Sequence, residues 1–344
     1  MKYVVLGPSG IHVSRICVGT MTFGNPLDEG QCKNLVGYVL DKGINFFDTA
    51  NAYQGYDRTW GSAGGVGEDM LGKSLVGRRH EAIIMTKYCN AVGTTALDAG
   101  LSARHLEDQL HKSLKRLRTD YIDVVLAHRW DPSVPVKEVW RTFDRWVRSG
   151  KVLAVGISDW PSWRVAQACE IADRYGWAPV SANSPKYSLL NRGMEVEHVP
   201  CALEYGIGMV TYQAFEGGVL TGKYRRGQTQ PAGTRAAEKP GWVPKIDETV
   251  YDKLEALEKL AQDAGMTLSE YVTAWVLSRP TVTSVILGLR NAQQADSAIA
   301  ATEKRIPAEH VEKIDALFPR PKPLPWEQVL AWGPKGWMLQ DLEC

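Results

Sequence analysis

Short apolar runs rich in β-branched residues alternate along the chain with longer segments of helical period. In the helical segments apolar side chains recur three or four positions apart, as at Leu106, Leu110, Leu114 and Leu117. The predicted strands cover residues 16–18, 46–47, 82–85, 122–126, 152–155, 179–182, 208–211 and 284–287. A strand-helix alternation repeated about eight times predicts an α/β fold with a parallel sheet, the (β/α)8 or TIM barrel.

Residues 3–6 and 11–13, around the turn at 7–10, predict a β-hairpin outside this repeat that caps one end of the barrel. Residues 225–245 are rich in glycine, proline and charge and are interpreted as a long functional loop, because helical period resumes after them. We therefore expect residues 1–344 to form one domain, with a core at 3–316 and a C-terminal tail at 319–344. The tail holds Trp326, Trp332 and Trp337.

Composition excludes several classes of protein. The 344 residues are 44% hydrophobic and 23% charged with a net charge of +1, so a nucleic-acid surface has no electrostatic support. No window approaches the ~18 apolar residues of a membrane span, and the N-terminus lacks the apolar centre of a signal peptide. The six cysteines are scattered, without the spacing of a metal site or a disulfide framework. We expect a cytoplasmic protein with no metal and no membrane contact.

Polar side chains stand where the predicted strands end, which is the active-site end of such a barrel. Each of these residues could instead have a purely structural role: Asp48 could cap a turn, Lys87 could be a solvated strand end, and His128 could be a packed histidine. Their joint placement favours one site, at which we expect seven residues to converge. These are Asp48, Lys87, His128, Ser158, Asp159, Asn183 and Tyr212.

The residue types near Asp48 suit the reduction of an aldehyde or ketone. An ammonium at Lys87 would favour the phenolate of Tyr53 and lower the pKa of that phenol, and Asp48 would hold Lys87 in place. His128 could orient a carbonyl group while Tyr53 protonates its oxygen. No side chain supplies a hydride, so this chemistry implies a nicotinamide cofactor.

Several segments with these residues resemble a known family. They are residues 43–53 (GINFFDTANAY), 86–87 (TK), 128–129 (HR), 150–158, 187–192 (YSLLNR) and 217–224 (GGVLTGKY). The chain resembles the aldo-keto reductases over about residues 3–316, in the branch of the potassium-channel β-subunits and the bacterial glyceraldehyde-phosphate reductases. The resemblance implies a (β/α)8 barrel, NADPH, and a catalytic tetrad of Asp48, Tyr53, Lys87 and His128 with Tyr53 as general acid.

The resemblance also implies a set of cofactor contacts, with NADPH preferred over NADH. They are Gly19, Thr20, Met21, Asp48, Ser158, Asp159, Ser184, Tyr212, Gln213, Ala214, Gly217, Leu220, Lys223, Gly288, Arg290 and Gln294. The chain departs from the family pattern where Asp159 replaces an asparagine and Ser184 a glutamine at the carboxamide, and where Ser297 and Ala298 replace an acidic-Asn pair at the adenosine end.

The sequence identifies the substrate less precisely than the reaction. Residues 54–67 directly follow Tyr53 and should edge the pocket, to which we assign Tyr56, Trp60 and Trp130; aromatic walls suit a sugar or a ring ketone. The expected partner is a small-molecule carbonyl compound, and a homo-oligomer stays open. Two alternatives remain: a cofactor-binding regulatory subunit with secondary reductase activity, and a barrel isomerase or aldolase that uses Lys87 as a Schiff base.

Overall fold

Eight parallel strands close into a barrel, so the predicted (β/α)8 fold is confirmed. The computed structural model describes residues 1–321. The strands are β1 (Tyr3–Val5), β2 (His12–Ser14), β3 (Ile16–Gly19), β4 (Phe46–Asp48), β5 (Ile83–Tyr88), β6 (Ile122–Ala127), β7 (Val152–Ser158), β8 (Val180–Ser184), β9 (Gly208–Thr211) and β10 (Val282–Leu287). In the order around the barrel, β10 pairs with β3 and the remaining strands follow in sequence to β9, which closes on β10.

Helices follow the barrel strands and cover their outer faces. The first and ninth begin with reciprocal capping boxes, in which Asp28 pairs with Gln31 and Thr267 with Glu270, as the side chains at these spacings allow. The helices are α1 (Glu29–Asp41), α2 (Val66–Ser74), α3 (Ala103–Leu117), α4 (Val136–Arg148), α5 (Ser162–Tyr175), α6 (His198–Tyr205), α7 (Arg235–Glu238), α8 (Glu248–Asp263), α9 (Leu268–Leu277), α10 (Ala292–Ala301) and α11 (Ala308–Leu317).

The hydrophobic core has two parts because side chains alternate between the two faces of a strand. The larger part lies between the barrel and the helices. The smaller part fills the barrel interior with buried side chains from most of the strands. It consists of Leu6, Val13, Cys17, Phe46, Met85, Val124, Leu126, Ala154, Ala182 and Val210.

The N-terminal hairpin closes the lower end of the barrel, as the sequence predicted. Strands β1 and β2 pair antiparallel, and Leu6 and Val13 insert into the interior core. Gly7 has a φ of +50°, and a Cβ there would lie 2.3 Å from the backbone oxygen of Ser181, so only glycine allows this approach. The chemistry must therefore lie at the other end.

The strand ends and the loop at 225–245 differ in detail from the sequence predictions. Most strands are longer than predicted, so that Asp48, Lys87 and Ser158 are the last or nearly the last residues inside strands rather than residues after them. The loop at 225–245 contains α7 and a 3-10 turn, Pro240–Trp242. The three tryptophans of the tail lie outside the described residues. None of the helices described within residues 1–321 combines the length and the hydropathy that a membrane span requires.

Candidate active site

The alternation of side chains along the strands brings polar groups together at the upper end of the barrel. Asp48 and Lys87 each stand two positions after a residue of the interior core, Phe46 and Met85. Both side chains therefore point into the barrel, one layer above that core. The equivalent positions of the neighbouring strands or strand ends are His128, Ser158, Ser184 and Tyr212.

The same alternation corrects one expectation. Asn183 follows Ala182, an interior residue, and its side chain therefore points outward. Its amide Nδ2 lies 3.4 Å from Nδ1 of His198 in α6. Asn183 thus does not join the other residues at the barrel end.

Lys87 is the centre of the cluster. Its Nζ lies 2.5 Å from Oδ1 of Asp48 and donates to the backbone oxygen of Thr49 at 2.9 Å and to the hydroxyl of Tyr53 at 3.0 Å. Only 2% of Lys87 and 3% of Asp48 is exposed, so the ion pair is shielded from water. The ammonium thus donates two hydrogen bonds and is neutralised by the Asp48 carboxylate.

The ion pair fixes the charges of its members. Burial opposes the charge on Lys87, but the Asp48 carboxylate and the Tyr53 hydroxyl outweigh it and raise the pKa of Lys87. Burial raises the pKa of Asp48, and the Lys87 charge acts against that rise. At neutral pH Lys87 is therefore an ammonium that donates hydrogen bonds, not a free amine.

The pKa of Tyr53 moves in the direction opposite to the expectation. Burial raises it above its ordinary value, and the charge of Lys87 lowers it without reversing the effect of burial. The effect of Lys87 has the expected sign, but the expected net lowering is wrong. Tyr53 is consequently protonated at neutral pH, which is the state that a proton donor requires.

His128 lies beside the Tyr53 phenol. The two rings meet edge to face, with centroids 5.9 Å apart, and only 8% of His128 is exposed. Burial, followed by the charges of Lys87, Arg129 and Arg58, lowers the pKa of His128 well below its ordinary range, so the ring is neutral. The amide Nδ2 of Asn90 lies 3.2 Å from Nδ1, and a donor there leaves the ring proton on Nε2. Sequence reasoning missed Asn90.

A second cluster stands across the site, at the ends of β7 and β9. The hydroxyl of Tyr212 donates to Asp159, with both carboxylate oxygens 2.9 Å away. Burial raises the pKa of Asp159, while Tyr212 and Arg129 lower it. Ser158 donates to the backbone oxygen of Ser184 at 2.9 Å, and the hydroxyl of Ser184 is buried without a partner within residues 1–321.

The loop after β9 has an unusual backbone. Gln213, Glu216, Gly217 and Gly218 all have a positive φ. The side chain of Gln213 accepts from the backbone N–H of Gly217 at 3.1 Å and closes the turn. Such loops present backbone N–H groups to anions, which is the feature that a pyrophosphate needs.

The buried carboxylate of Glu216 also stabilises this loop. Glu216 is 3% exposed and receives a hydrogen bond from Ser188 at 2.7 Å and an ion pair from Lys186 at 2.9 Å. Side-chain contacts of Gln213 and Glu216 thus both stabilise the loop.

Three cations meet near this loop. Arg290 donates to the backbone oxygen of Gly233 at 2.8 Å and lies 3.6 Å from Glu238. Burial lowers the pKa of Lys223, and the charges of Arg290 and Arg235 lower it further. Three positive groups with one nearby carboxylate leave a net positive charge, which is the condition for binding phosphate groups. Arg235 was missed by sequence reasoning, because it stands on a short helix inside a predicted loop.

The remaining residues assigned to the cofactor surround these groups. Thr20 follows β3 and has a buried hydroxyl without a partner in the described part of the chain. Gln294, in the first turn of α10, accepts from the backbone N–H of Arg290 at 2.8 Å. Four others lie at or just after the upper ends of β3, β9 and β10: Gly19, Met21, Ala214 and Gly288. Leu220 lies further along, in the 3-10 segment Glu216–Thr221 of the loop after β9.

The three aromatic residues assigned to the substrate pocket are not brought together. Tyr56 is 4% exposed and its hydroxyl accepts from Arg290 and, at 3.4 Å, from Arg235, so it belongs to the cation cluster. Trp60 is 90% exposed. Trp130 packs edge to face on Trp163, with ring centroids 5.8 Å apart.

The residues present fit a nicotinamide dinucleotide. The hydroxyls of Ser184 and Thr20, which have no partner within residues 1–321, lie at the upper end of the barrel, and the cation cluster of Lys223, Arg235 and Arg290 lies in the loops beyond β9 and β10. Polar hydrogen-bonding groups near the ring and positive charge near the phosphates are what such a cofactor needs. Among residues 1–321 no group of three or more potential metal ligands is found.

Comparison with known proteins agrees with this geometry. The family model described as Aldo/keto reductase family matches residues 15–318. The Uncharacterized oxidoreductase YrpG of Bacillus subtilis (strain 168) is 34% identical over 328 residues, which cover 93% of this chain and 97% of the relative. A probable voltage-gated potassium channel subunit beta of Oryza sativa subsp. japonica is also 34% identical, over 92% of this chain and 96% of its own. The putative voltage-gated potassium channel subunit beta of Schizosaccharomyces pombe is 34% identical over 91% and 92%.

Proposed function

The chain belongs to the aldo/keto reductase family, and we propose that it reduces an aldehyde or ketone to an alcohol with NADPH, with Tyr53 as the proton donor. Family membership and the oxidoreductase relative make it a carbonyl-reducing oxidoreductase that uses a nicotinamide cofactor. The preference for NADPH, the role of Tyr53 and the substrate are the parts that we propose.

One observation supports the proposal above all others. The Tyr53 hydroxyl, the Lys87 ammonium and the Asp48 carboxylate form a continuous chain of contacts of 3.0 Å and 2.5 Å at the inner end of the site. A chain of this kind stabilises the phenolate that remains after Tyr53 has given up its proton, because a positive charge lies beside the new negative one.

Each side chain of the tetrad has its own role in the proposed reaction. Tyr53 gives its hydroxyl proton to the carbonyl oxygen, Lys87 stabilises the resulting phenolate, and Asp48 keeps Lys87 charged and in place. The Nε2–H of His128 donates a hydrogen bond to the same carbonyl oxygen and orients it. The reduced nicotinamide, when bound, supplies the hydride, which no side chain can supply.

The cofactor contacts that we propose run from the barrel interior outward. Ser158, Asp159 and Ser184 would hold the carboxamide, and Tyr212 would lie against the ring. The loop from Gln213 to Leu220 would bind the pyrophosphate. Lys223, Arg235 and Arg290 would bind phosphate, and Arg290 with Arg235 would select the extra 2′-phosphate of NADPH.

The two alternatives have less support. A Schiff base needs a neutral amine, whereas Lys87 has a raised pKa, two hydrogen-bond acceptors and a buried ion pair with Asp48. The names of the plant and yeast relatives suggest a channel-associated regulatory role, but the buried ion pair and the protonated Tyr53 favour turnover over cofactor binding alone.

The test is a comparison of wild type with Tyr53→Phe against a panel of aldehydes and ketones, measured by the loss of absorbance of reduced nicotinamide. Loss of general-acid catalysis should lower kcat by about 10²- to 10⁴-fold, while the Kd for NADPH, measured by fluorescence titration, stays close to that of wild type. Tyr175→Phe is the matched control, because Lys137 donates to this exposed tyrosine at 2.7 Å on the outer surface. A Tyr53→Phe enzyme with undiminished kcat would disprove the proposed role.

A further inference from the structure

We propose that Glu68 is a positioning residue for the tetrad, which sets the distance between the Tyr53 hydroxyl and the Lys87 ammonium from outside the barrel. This inference rests on the proposed function, because it concerns the geometry of the same proton donor. Glu68 lies in the first turn of α2 and is 0% exposed, and it takes no part in the chemistry described so far.

The Glu68 carboxylate is held by three side chains. Its Oε1 accepts hydrogen bonds from the hydroxyls of Thr86 at 2.5 Å and Ser113 at 2.7 Å. Its Oε2 accepts from Nε of Arg116 at 2.7 Å and lies 2.6 Å from Nη2 of the same arginine. Hydrogen bonds to an ionised acceptor are short and strong, so these contacts fix both the position and the orientation of the carboxylate.

The residue before Glu68 contacts Tyr53. The backbone N–H of Gly67 donates to the backbone oxygen of Tyr53 at 3.0 Å. A Cβ on Gly67 would lie 3.1 Å from Cβ of Tyr53, so the first turn of α2 packs directly on that residue. A shift of Glu68 is therefore transmitted to the backbone from which the Tyr53 hydroxyl extends.

The Thr86 hydroxyl connects Glu68 with the strand that carries Lys87. Thr86 and Lys87 are neighbours in β5 and point to opposite faces of the barrel wall, Thr86 towards α2 and Lys87 inward. The hydrogen bond from Lys87 to Tyr53 is 3.0 Å long, and an increase of about 0.5 Å would take it out of the ordinary range. Glu68 thus contacts both of the segments that define this distance.

A polar stripe on α3 supports this connection. Gln109, Ser113 and Arg116 follow one another at spacings of four and three positions and so share one face of the helix. Gln109 accepts from the side-chain amide of Asn51 at 2.9 Å, two residues before the proton donor. Ser113 and Arg116 bind the Glu68 carboxylate. One face of α3 therefore holds the catalytic segment at two points.

Stability alone does not account for a buried charge at this position. A buried ion pair can often be replaced by apolar side chains of similar volume without loss of stability. Apolar packing between α2, α3 and β5 would, however, allow small displacements, whereas hydrogen bonds to a carboxylate weaken steeply when their distance and angle change. The network around Glu68 is therefore suited to maintain a distance between two elements.

The experiment measures kcat, KM and the Kd for NADPH with the carbonyl compound that wild type reduces best. The variants are Glu68→Gln, Thr86→Val and Thr86→Ser. Thr86→Val keeps the shape of the side chain and removes the hydroxyl that joins β5 to Glu68, and Thr86→Ser restores a hydroxyl there.

The matched control is Asp123→Asn at the lower end of the barrel. Asp123 is another buried carboxylate that contacts β5, through the backbone N–H of Ile84 at 2.9 Å, and it lies 2.7 Å from Arg79. Its loss should lower the free energy of unfolding as Glu68→Gln does, and urea unfolding measures both.

We expect Glu68→Gln and Thr86→Val to lower kcat about 10- to 100-fold, with KM and Kd within about twofold of wild type, because small displacements of reacting groups have effects of this size. Thr86→Ser should recover most of the activity, and Asp123→Asn should keep the wild-type kcat despite its lower stability. In a Tyr53→Phe background Glu68→Gln should change kcat less than about twofold, because Glu68 acts through the Tyr53 hydroxyl.

Three results would overturn the inference and leave the proposed function intact. One is an undiminished kcat in Glu68→Gln or Thr86→Val. Another is an equal loss in Thr86→Val, Thr86→Ser and Asp123→Asn, and the third is a Glu68→Gln effect of the same size with and without the Tyr53 hydroxyl. If Glu68→Gln does not fold, the two Thr86 variants decide the question. If Tyr53→Phe itself leaves kcat unchanged, the proposed function fails and the inference fails with it.

Discussion

The Tyr212 hydroxyl donates to the Asp159 carboxylate across the end of the barrel, with both carboxylate oxygens 2.9 Å from the phenol oxygen. Asp159 has a positive φ of 51° at the point where the chain leaves β7, so its side chain is turned back towards the site. This contact puts a carboxylate where the family resemblance implies an amide, and it brings negative charge to the place proposed for the nicotinamide.

Asp159→Asn should change the relative affinity for the two redox forms of the cofactor. The oxidised nicotinamide ring is positive and the reduced ring is neutral, so the carboxylate favours NADP⁺. We expect the ratio Kd(NADP⁺)/Kd(NADPH) to rise about 3- to 10-fold in the variant, a modest charge effect at partial exposure. Fluorescence titration of both forms measures it. The exposed Asp173→Asn is the control, and a ratio that stays constant or falls would contradict the account.

Lys87→Met should lose both activity and stability. The variant leaves the buried carboxylate of Asp48 without its partner, which costs about 3–5 kcal/mol in the free energy of unfolding. Adding Asp48→Asn removes the isolated charge and should restore much of that loss, but not activity, because Tyr53 still lacks its cation. Urea unfolding and kcat measure the two effects separately.

The control for this pair is an exposed lysine with a similar partner. Lys73 lies 2.7 Å from Glu29 at the surface, where water screens the charges, and Lys73→Met should change the free energy of unfolding little. Equal losses in Lys73→Met and Lys87→Met would show that burial does not distinguish the two pairs.

The rate of carbonyl reduction should fall only at alkaline pH. Tyr53 must be protonated to act, and burial raises its pKa above the ordinary 10.0. Reduction should therefore be independent of Tyr53 ionisation through neutral pH and decline as the pH rises through the Tyr53 pKa. Lys87→Met removes the charge that lowers this pKa, so any residual activity should decline at a still higher pH. Single-turnover rates, with circular dichroism to confirm folding, test the order of the two profiles.

Arg235→Gln should weaken NADPH binding more than NADH binding. Arg235 lies with Arg290 and Lys223 in the cation cluster, and a lost charged hydrogen bond to the 2′-phosphate corresponds to roughly 10- to 100-fold in Kd. Titration with both cofactors gives the comparison. Arg226→Gln is the control, since this arginine of the same loop is paired with acidic residues of α8. Equal weakening of both cofactors would assign Arg235 to the pyrophosphate instead.

His128→Gln should make stability less sensitive to acid. The pKa of His128 is lowered in the folded state, so below pH 6.5 the unfolded chain binds more protons at this residue, and the free energy of unfolding falls as the pH falls. Relative to the variant, wild type should lose up to about 1.4 kcal/mol per pH unit below that value until the folded-state pKa is reached. Urea midpoints at neutral and mildly acidic pH measure the difference, with the exposed His80→Gln as control. A constant difference between wild type and His128→Gln would be the contrary result.

Much of the fold and of the inner site could be predicted because both depend on residues that are close together in the sequence. Strand and helix periods specify the barrel, and residues 43–53 hold Asp48 and Tyr53 in one short segment. The outward orientation of Asn183 could also have been predicted from its neighbours in the strand. Since Ala182 faces the interior, the next residue must face outward, and counting positions along the strand would have shown it.

Other features depend on contacts between distant parts of the chain. The bond between Asp159 and Tyr212 joins residues 53 positions apart, and the loop that contains Arg235 returns to a tyrosine 179 positions earlier. The net direction of the Tyr53 pKa depends on how completely the barrel end excludes water, which composition and spacing do not reveal. Such quantities come only from packing.

The hairpin that closes the lower end of the barrel has a consequence for how such a protein can change over evolution. Closure by Leu6, Val13 and Gly7 is at one end of the strands, and every residue proposed to meet a ligand is at the other. Insertions or exchanges in the upper loops can therefore alter what is bound while the sealed end continues to support folding. The binding specificity of this scaffold can therefore change without a loss of its folding stability.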